Sequence, residues 1–379
     1  LTDFNDLNMR FVGYDYLGNA VPTSTKFNDF FADTKTTGKR DFLVAPYQPN
    51  YAAFYIQDKF TYKDIIFRDG LRVDQFDANT KVMKDPFALY QIVGAKDFHD
   101  NLNTTKPANI GNDYKVYVEG AGSDAVKAYR NGEQWYYPNG NAANDGLLIF
   151  GGEAVNPKYV KQNGKDPDIT IRKFDTNSSF TDYKPKLNFM PRLAFSFPIS
   201  DDANFFAHYD VLTQRPPNSN VATALDYFYF FYPGRFDDGN NPISNPNLRP
   251  ERTVDYEVGF QQKISNSSAI KLTAYYKELR DNIQRRTYLY VPVLGSYTTY
   301  DNRDFATVKG FTVNYDLRRT SNFQMNLAYT LQFADGTGSD ENSQRGLSSK
   351  GNLRNIFPLN FDERHNFSAT LDYRYDEEK

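Results

Sequence analysis

The sequence lacks cysteine and contains few of the residues that usually build metal and redox sites. Its 379 residues include no cysteine, four methionines, one tryptophan and only the histidines His99, His208 and His365. The absence of cysteine excludes disulfide scaffolds and thiolate metal sites. The histidines do not have metal-ligand spacing, so we expect no histidine metal site, no His-based catalytic triad and no cofactor.

Long apolar runs and blocks of basic charge are also missing. No run approaches the roughly 18 apolar residues of a transmembrane helix. The net charge of -3 without a Lys/Arg block argues against a nucleic-acid partner. No phosphate-binding glycine loop has the required context, so we expect no enzyme. The N-terminus LTDFNDLNMR has neither a starting Met nor a signal-peptide core, which indicates a mature or truncated piece.

What the sequence has in abundance is aromatic residues, 29 Tyr and 32 Phe, arranged with a period of two. In FQMNLAYTLQFADG (323–336), the Phe, Met, Leu and Tyr residues occupy one parity and Gln, Asn, Ala and Thr the other. This period predicts a β-strand with one apolar and one polar face. Nine such strands are predicted, at 51–60, 65–74, 189–197, 204–211, 254–260, 270–276, 311–317, 323–333 and 367–373. The chain is therefore predicted to be all-β and antiparallel, with helices only in its loops.

The connections distinguish a membrane barrel from a soluble sandwich. Short links are predicted at 61–64, 200–203, 265–268 and 320–322, and they alternate with long segments at 78–187, 213–251, 281–306 and 334–362. In an antiparallel meander, alternate links lie at the same end of the sheet. The pattern is typical of a transmembrane β-barrel of the bacterial outer membrane, with short periplasmic turns, long extracellular loops, an apolar surface against lipid and a polar lumen.

Nine strands do not close such a barrel. Single-chain bacterial barrels have an even number of strands, and an open sheet in lipid would leave backbone groups unpaired. The pattern also stops at LDYRYDEEK, where a partner strand is expected. We therefore expect residues 1–379 to be a partial outer-membrane β-barrel domain.

Two stretches resemble a known family. FYIQDKFTYKDIIFRDGLRVDQFDAN (54–79) and NPNLRPERTVDYEVGF (245–260) resemble the strand–turn–strand and the NPNLxPE stretch of TonB-dependent outer-membrane receptors. PRLAFSFPIS, followed by FFAHYDVLTQRP, resembles the Bacteroidetes-type members with large barrels. The resemblance implies a barrel of about 22 strands with a plugged lumen. It also implies active import of a scarce ligand, powered by the TonB complex through an N-terminal plug.

No plug-like segment or TonB box is recognisable, so the plug is expected to lie outside this chain. A surface lipoprotein that caps the loops remains open as a partner. The ligand is equally open, since siderophores, glycans, peptides and cobalamins all pass through similar barrels whose selectivity lies in variable loops.

Charged residues on the polar parity of the predicted strands form the first candidate site. They are Arg68, Arg72, Asp74, Arg192, Asp255, Glu257, Asp316 and Arg374. One interpretation is docking of a plug or guidance of a polar ligand. The other, favoured, interpretation is a hydrated barrel interior whose charges pair across neighbouring strands.

An unbroken aromatic run in a long loop forms the second candidate site. In LDYFYFFYPGRF (225–236) it comprises Tyr227, Phe228, Tyr229, Phe230, Phe231 and Tyr232, followed by Arg235. The run could be a stacking surface for a ligand, or, as favoured, a packing element among the loops.

Two other functions fit the same strands. A passive porin or surface-anchoring barrel would have no plug. A soluble β-sandwich binder would bury its apolar parity, and the regular alternation of short and long connections makes it the weakest alternative. The acidic pairs at Asp237 and Asp238 and at Asp340 and Glu341 could bind Ca²⁺, but turn formation is the favoured explanation.

Overall fold

The computed structural model describes residues 12–15, 17–32, 42–171, 174–216, 221–228, 242–350 and 355–375, and most of them lie in or between strands. The strands are β1 (Asn50–Tyr62), β2 (Ile65–Asp77), β3 (Lys81–Met83), β4 (Lys115–Val118), β5 (Val126–Asn131), β6 (Gln134–Tyr136), β7 (Ala142–Ala143), β8 (Asn156–Pro157), β9 (Phe180–Asp182), β10 (Lys186–Ser200), β11 (Ala203–Gln214), β12 (Glu251–Lys263), β13 (Ser268–Val291), β14 (Gly295–Thr320), β15 (Phe323–Gly336), β16 (Phe357–Pro358) and β17 (His365–Tyr373).

Helices are short and lie in the connections. They are α1 (Ala95–Leu102), α2 (Leu147–Phe150), α3 (Thr176–Ser179) and α4 (Ala224–Phe228), with 3-10 turns at Phe27–Phe31 and Arg345–Lys350. The longest helix, α1, has eight residues. Among the described residues, none of these helices has the length and apolar character needed to traverse a bilayer.

Nine long strands form one antiparallel sheet in chain order. Its order is β1-β2-β10-β11-β12-β13-β14-β15, and β17 pairs with β15 beside the two-residue strand β16. These are the nine strands that the alternation predicts. Of the nine long strands, only β1 and β17 lack a second long neighbour within the described part of the chain, so the sheet is open.

The register gives this sheet one apolar and one polar face. Directly paired residues in antiparallel strands share a face. One apolar row crosses eight strands and consists of Phe60, Phe67, Phe195, Ala207, Val258, Ala274, Phe311 and Leu331. The neighbouring residues of opposite parity form the polar face. The apolar and polar residues of the alternating pattern therefore lie on opposite faces of the sheet, as predicted.

The connections at one end of the sheet are tight turns. Lys63–Asp64 joins β1 to β2, and Ser321–Asn322 joins β14 to β15. Lys63 and Ser321 each have a positive φ angle of 55°. Two-residue turns that match the right-handed twist of β-strands require such positive φ angles. We call this the short-turn end and the opposite end the long-loop end.

One predicted loop is instead a strand pair. The alternation predicts a long loop at residues 281–306, but β13 and β14 continue through them to a turn at Pro292–Leu294. β14 has 26 residues, whereas a strand needs only about 9–11 to cross a bilayer. The hairpin therefore projects beyond the rest of the sheet at the long-loop end, and we call residues 281–306 the extension.

The connection between β2 and β10 is a folded unit with its own core. Residues 78–185, here called the insert, contain α1 and a small antiparallel sheet of order β7-β6-β5-β4-β8. Tyr117, Trp135 and Phe150 pack together in one buried cluster. Arg130 lies beside them, 2% exposed, and its Nε donates a 2.8 Å hydrogen bond to the Tyr117 hydroxyl.

The insert packs against the extension through ion pairs and aromatic rings. Glu133 accepts from Arg286 at 2.8 Å and from Arg303 at 2.7 Å. Burial would raise the pKa of Glu133, but the attraction of Arg286 and then of Arg303 outweighs it and lowers that pKa. The rings of Phe87 and Tyr288 meet at 4.9 Å. The long-loop end is consequently a packed assembly.

Candidate functional site

At the β1–β2 edge of the polar face, three side chains form a hydrogen-bonded group. Arg72 Nε donates to Asp74 Oδ1 at 2.7 Å, and Arg72 Nη2 donates to the Tyr51 hydroxyl at 3.0 Å. The Tyr51 hydroxyl in turn donates to Asp74. Asp74 is buried, so these bonds satisfy a carboxylate that would otherwise be costly to desolvate. The group joins β1 to β2 across the strand pair.

A row of charges crosses the middle of the polar face. Arg192, Asp210, Asp255 and Lys277 are successive register partners on β10, β11, β12 and β13. Lys277 Nζ lies 2.9 Å from Asp255 Oδ2. Two facing carboxylates would repel each other, and the cations on either side of them compensate this repulsion. Asp255 is buried, and its Oδ1 has no hydrogen-bond partner among the described residues.

A histidine lies between two carboxylates in the next row. His208 Nε2 is 3.8 Å from Asp210 Oδ2 and 3.9 Å from Glu257 Oε2. Within the described ranges, no group of three His, Cys, Asp or Glu residues is arranged to hold a metal ion. The imidazole therefore lies between two carboxylates of the polar face.

Seven of the eight charged residues selected from the sequence share one face of the sheet. Register places Arg72, Asp74, Arg192, Asp255 and Glu257 on the polar face. The same face carries Arg68 and Asp316, and Asp316 accepts a hydrogen bond from Asn326 Nδ2, whereas Arg374 follows the end of β17. Lys277, the partner of Asp255, was missed because its strand alternates weakly. Whether these residues face a plug stays a prediction.

The apolar face presents large side chains to the surroundings. Exposed residues on it include Phe54, Ile56, Phe189, Leu193, Phe195, Val258, Phe311, Phe367 and Leu371. A continuous exposed apolar surface of this kind is typical of contact with lipid or with another protein. Asp58 and Asp69 interrupt it as register partners, and nothing in the structure explains this acidic pair.

The start of the aromatic run lies in a buried core. Tyr227 is 3% exposed, and its ring centroid is 4.9 Å from that of Phe180 and 6.0 Å from that of Phe27. Phe228 packs 5.8 Å from Phe30. Tyr227 is therefore packed in a buried core in this structure, and ligand contact by the aromatic run stays a prediction.

The remaining residues of that site, Tyr229, Phe230, Phe231, Tyr232 and Arg235, lie outside the described residues, as do Asp237 and Asp238. Asp340 Oδ1 accepts from the Asn342 backbone N–H at 2.7 Å, in agreement with turn formation at that acidic pair.

A cavity of about 560 Å³ lies at the long-loop end of the polar face. Its wall includes Glu251 and Thr253 of β12 and Leu279 of β13, which continue the polar parity beyond the charge row. Residues 338–341, which follow β15, complete its lining. No pattern in the sequence indicates this cavity, because its residues come from five separate segments.

The comparisons identify the family. The sequence profile described as "TonB dependent receptor-like, beta-barrel" matches residues 2–378. A search of curated proteins gives no significant match.

Several solved structures are similar over part of their length. The ferric-catecholate import receptor Fiu of Escherichia coli shares 13% identity, with 87% of this chain and 32% of that chain covered and a TM-score of 0.40. The FrpB iron transporter of Neisseria meningitidis shares 11% identity, with 93% and 36% covered and a TM-score of 0.40. The hemophore receptor HasR of Serratia marcescens shares 13% identity, with 86% and 39% covered and a TM-score of 0.41. The chain thus spans about a third of the length of these proteins.

The family match agrees with the sheet. An antiparallel meander with short turns at one end, an exposed apolar face and a polar face is part of an outer-membrane barrel. The short turns are accordingly periplasmic and the long loops extracellular. The family is one of receptors, which confirms that the chain is not an enzyme. With its profile matched from residue 2 to residue 378, the chain belongs to the TonB-dependent receptor β-barrel family of the bacterial outer membrane.

Proposed function

We propose that the protein imports a scarce ligand actively across the outer membrane, with energy delivered by TonB to a plug that fills the barrel. The observation that carries this proposal is the family match over residues 2–378.

The polar face supports a plugged lumen. Asp255 is buried on it, and one of its carboxylate oxygens lacks a hydrogen-bond donor among the described residues. Such an oxygen can accept a bond from a docked plug, which would satisfy it. Arg72, Asp74, Arg192 and Glu257 are proposed to line the same surface. Tyr229, Phe230, Phe231, Tyr232 and Arg235, which follow α4 in the sequence, are proposed to contact the ligand. A surface lipoprotein remains a proposed partner.

A passive porin or surface-anchoring barrel is the alternative. The two differ in conductance and in TonB binding, so the full-length protein should be tested for both. We expect no steady conductance in planar bilayers and direct binding of the periplasmic domain of TonB. A stable open channel without TonB binding would favour the porin.

Two matched variants test the plug-facing role of the charge row. Lys277→Met removes the partner of Asp255 on the polar face, whereas Lys309→Met removes a lysine that pairs in register with Phe333 on the other face. We expect transient channel openings with Lys277→Met and none with Lys309→Met. Equal behaviour of the two variants would contradict plug docking at this row.

A further inference from the structure

The cavity at the extracellular end of the polar face has a strongly acidic lining. Its lining includes four acidic residues, Glu251, Asp304, Asp340 and Glu341, and no lysine or arginine. A volume of about 560 Å³ is within the range of small-molecule pockets. The cavity therefore combines room for a ligand with a lining whose charged side chains are all acidic.

Asp304 is the most buried carboxylate of the cavity. It is 4% exposed, and its Oδ1 accepts a 3.0 Å hydrogen bond from the Thr337 hydroxyl. No lysine, arginine or histidine of the described residues forms an ion pair with it. Burial raises the pKa of Asp304 to about 6, although the Thr337 bond acts in the opposite direction. A buried carboxylate without a counter-charge is costly, and a cation in the adjoining cavity would remove that cost.

Local structure uses only part of the acidic lining. Glu251 Oε1 accepts from the Ile283 backbone N–H at 2.9 Å, where the β13–β14 register shifts. Glu341 holds the loop through its backbone carbonyl, which accepts from the Arg285 N–H at 3.0 Å. The second carboxylate oxygen of Glu251 and the side chain of Glu341 are thus left to face a ligand.

The arrangement favours an organic cation over a metal ion. A bound Ca²⁺ needs six to eight oxygen ligands at about 2.3–2.6 Å. In the described part of the chain, no three acidic residues converge closely enough to hold a metal. The carboxylates are instead spread around a wide cavity that also offers amide and hydroxyl groups from Gln214, Asn282 and Thr253. Spread acceptors suit a ligand with several separated N–H donors.

We propose that this cavity binds a small organic cation that carries ammonium or guanidinium groups. Glu251 and Asp304 form its anionic floor, and Asp340 and Glu341 contribute from the loop above. The cation's role as imported cargo rests on the proposed transport function, but its binding does not.

The test uses spermidine and the full-length receptor in detergent, with calorimetry at pH 7.5. Glu251→Gln combined with Asp304→Asn keeps side-chain size, and the amide oxygen of the Asp304→Asn side chain can still accept from Thr337. The control combines Glu119→Gln with Asp124→Asn, two carboxylates of the insert that pair with Lys127 and Lys158. We expect the cavity variant to bind spermidine at least about tenfold more weakly than the control. Melting temperature and heat-modifiable migration verify the fold.

Several outcomes would overturn the proposal. The first is that wild-type protein does not bind spermidine at concentrations on the order of millimolar. The second is that the cavity variant and the control variant weaken binding equally, because this result would indicate non-specific charge attraction. Binding of triethylene glycol as tightly as spermidine would also contradict it, and so would binding of Ca²⁺ in the cavity in place of spermidine. Because binding needs neither TonB nor plug movement, failure of import would leave this measurement unaffected.

Discussion

The hydroxyl of Tyr290, near the tip of the extension, donates a 2.8 Å hydrogen bond to Asp145 Oδ1 of the insert. The ring packs 5.8 Å from Phe150 and 6.0 Å from Trp135. Burial, followed by the bond to Asp145, raises the pKa of Tyr290 to about 12. This single side chain thus joins the barrel wall to the insert by both a polar and an aromatic contact.

Substitutions at Tyr290 should separate these two contributions. Tyr290→Phe removes the hydrogen bond and should cost about 0.5–1.5 kcal/mol of docking free energy. Tyr290→Ala also removes the ring and should cost more, because Trp135 and Phe150 lose a packed neighbour. Amide hydrogen exchange of α2 would measure both. Equal exchange in the two variants would indicate that the ring contributes nothing to docking.

The pH dependence of the loop above the cavity should follow Asp304. Its folded pKa, about 6, is above the ordinary aspartate value of 3.8, so the folded state binds the proton more tightly. The contribution of Asp304 to the free energy of unfolding is fully present below about pH 4 and is lost as pH rises through about 6. At pH 8, Asp304→Asn should therefore raise the opening free energy of residues 337–344, measured by amide hydrogen exchange, above that of wild type. The expected increase is about 1–2 kcal/mol after solvent screening.

The same comparison at pH 4.5 is the control for Asp304. There the wild-type carboxyl is largely protonated, so wild type and Asp304→Asn should exchange alike. A difference that is the same at both pH values would assign the effect to geometry and would contradict the titration of Asp304.

The two faces of β15 should respond oppositely to charge. Leu331 lies on the lipid-facing row and Thr330 on the polar face, where it pairs with Thr312. Leu331→Arg should cost about 2–4 kcal/mol and impair assembly, whereas Thr330→Arg should be tolerated. Heat-modifiable folding into liposomes would measure both. Equal damage from the two adjacent changes would contradict the assignment of the faces.

The aromatic run should divide into a packing part and a binding part. Tyr227→Ala should lower the free energy of unfolding by about 3–5 kcal/mol, as expected for a large buried ring. Changing Tyr229, Phe230 and Phe231 together to Ser should leave thermal stability nearly unchanged if these rings form the proposed ligand surface. A loss of stability comparable to that of Tyr227→Ala would identify the whole run as a packing element.

The sequence allowed the membrane part of the fold to be predicted, because lipid and water impose a strict alternation there. Phe311, Val313 and Tyr315 on β14 alternate with Thr312 and Asn314, and the register confirms their facing. The extension has no such signal. Gln284, Arg286 and Tyr288 share a parity but pack against protein, so their polarity does not reveal a strand.

The candidate site was predictable only in part for a related reason. Asp255 and Glu257 could be assigned to the polar face from alternation alone. The cavity acids Glu251 and Asp304 are 53 positions apart in sequence, and Asp304 is brought to the cavity by the unpredicted course of β14. Burial of Tyr227 likewise depends on Phe27 and Phe180, which are distant in the chain.

The contact between the insert and the extension imposes an order of assembly. The Tyr297 hydroxyl donates to the Pro86 carbonyl at 2.6 Å, across 211 positions of sequence, and Tyr288 and Tyr297 belong to the same buried cluster as Phe87. The insert leaves the ribosome long before β13 and β14, so this core cannot close until the later hairpin arrives. Until then its aromatic side chains are exposed and available to chaperones or to aggregation. Completion of the extracellular surface is therefore a late event that requires the β13–β14 hairpin.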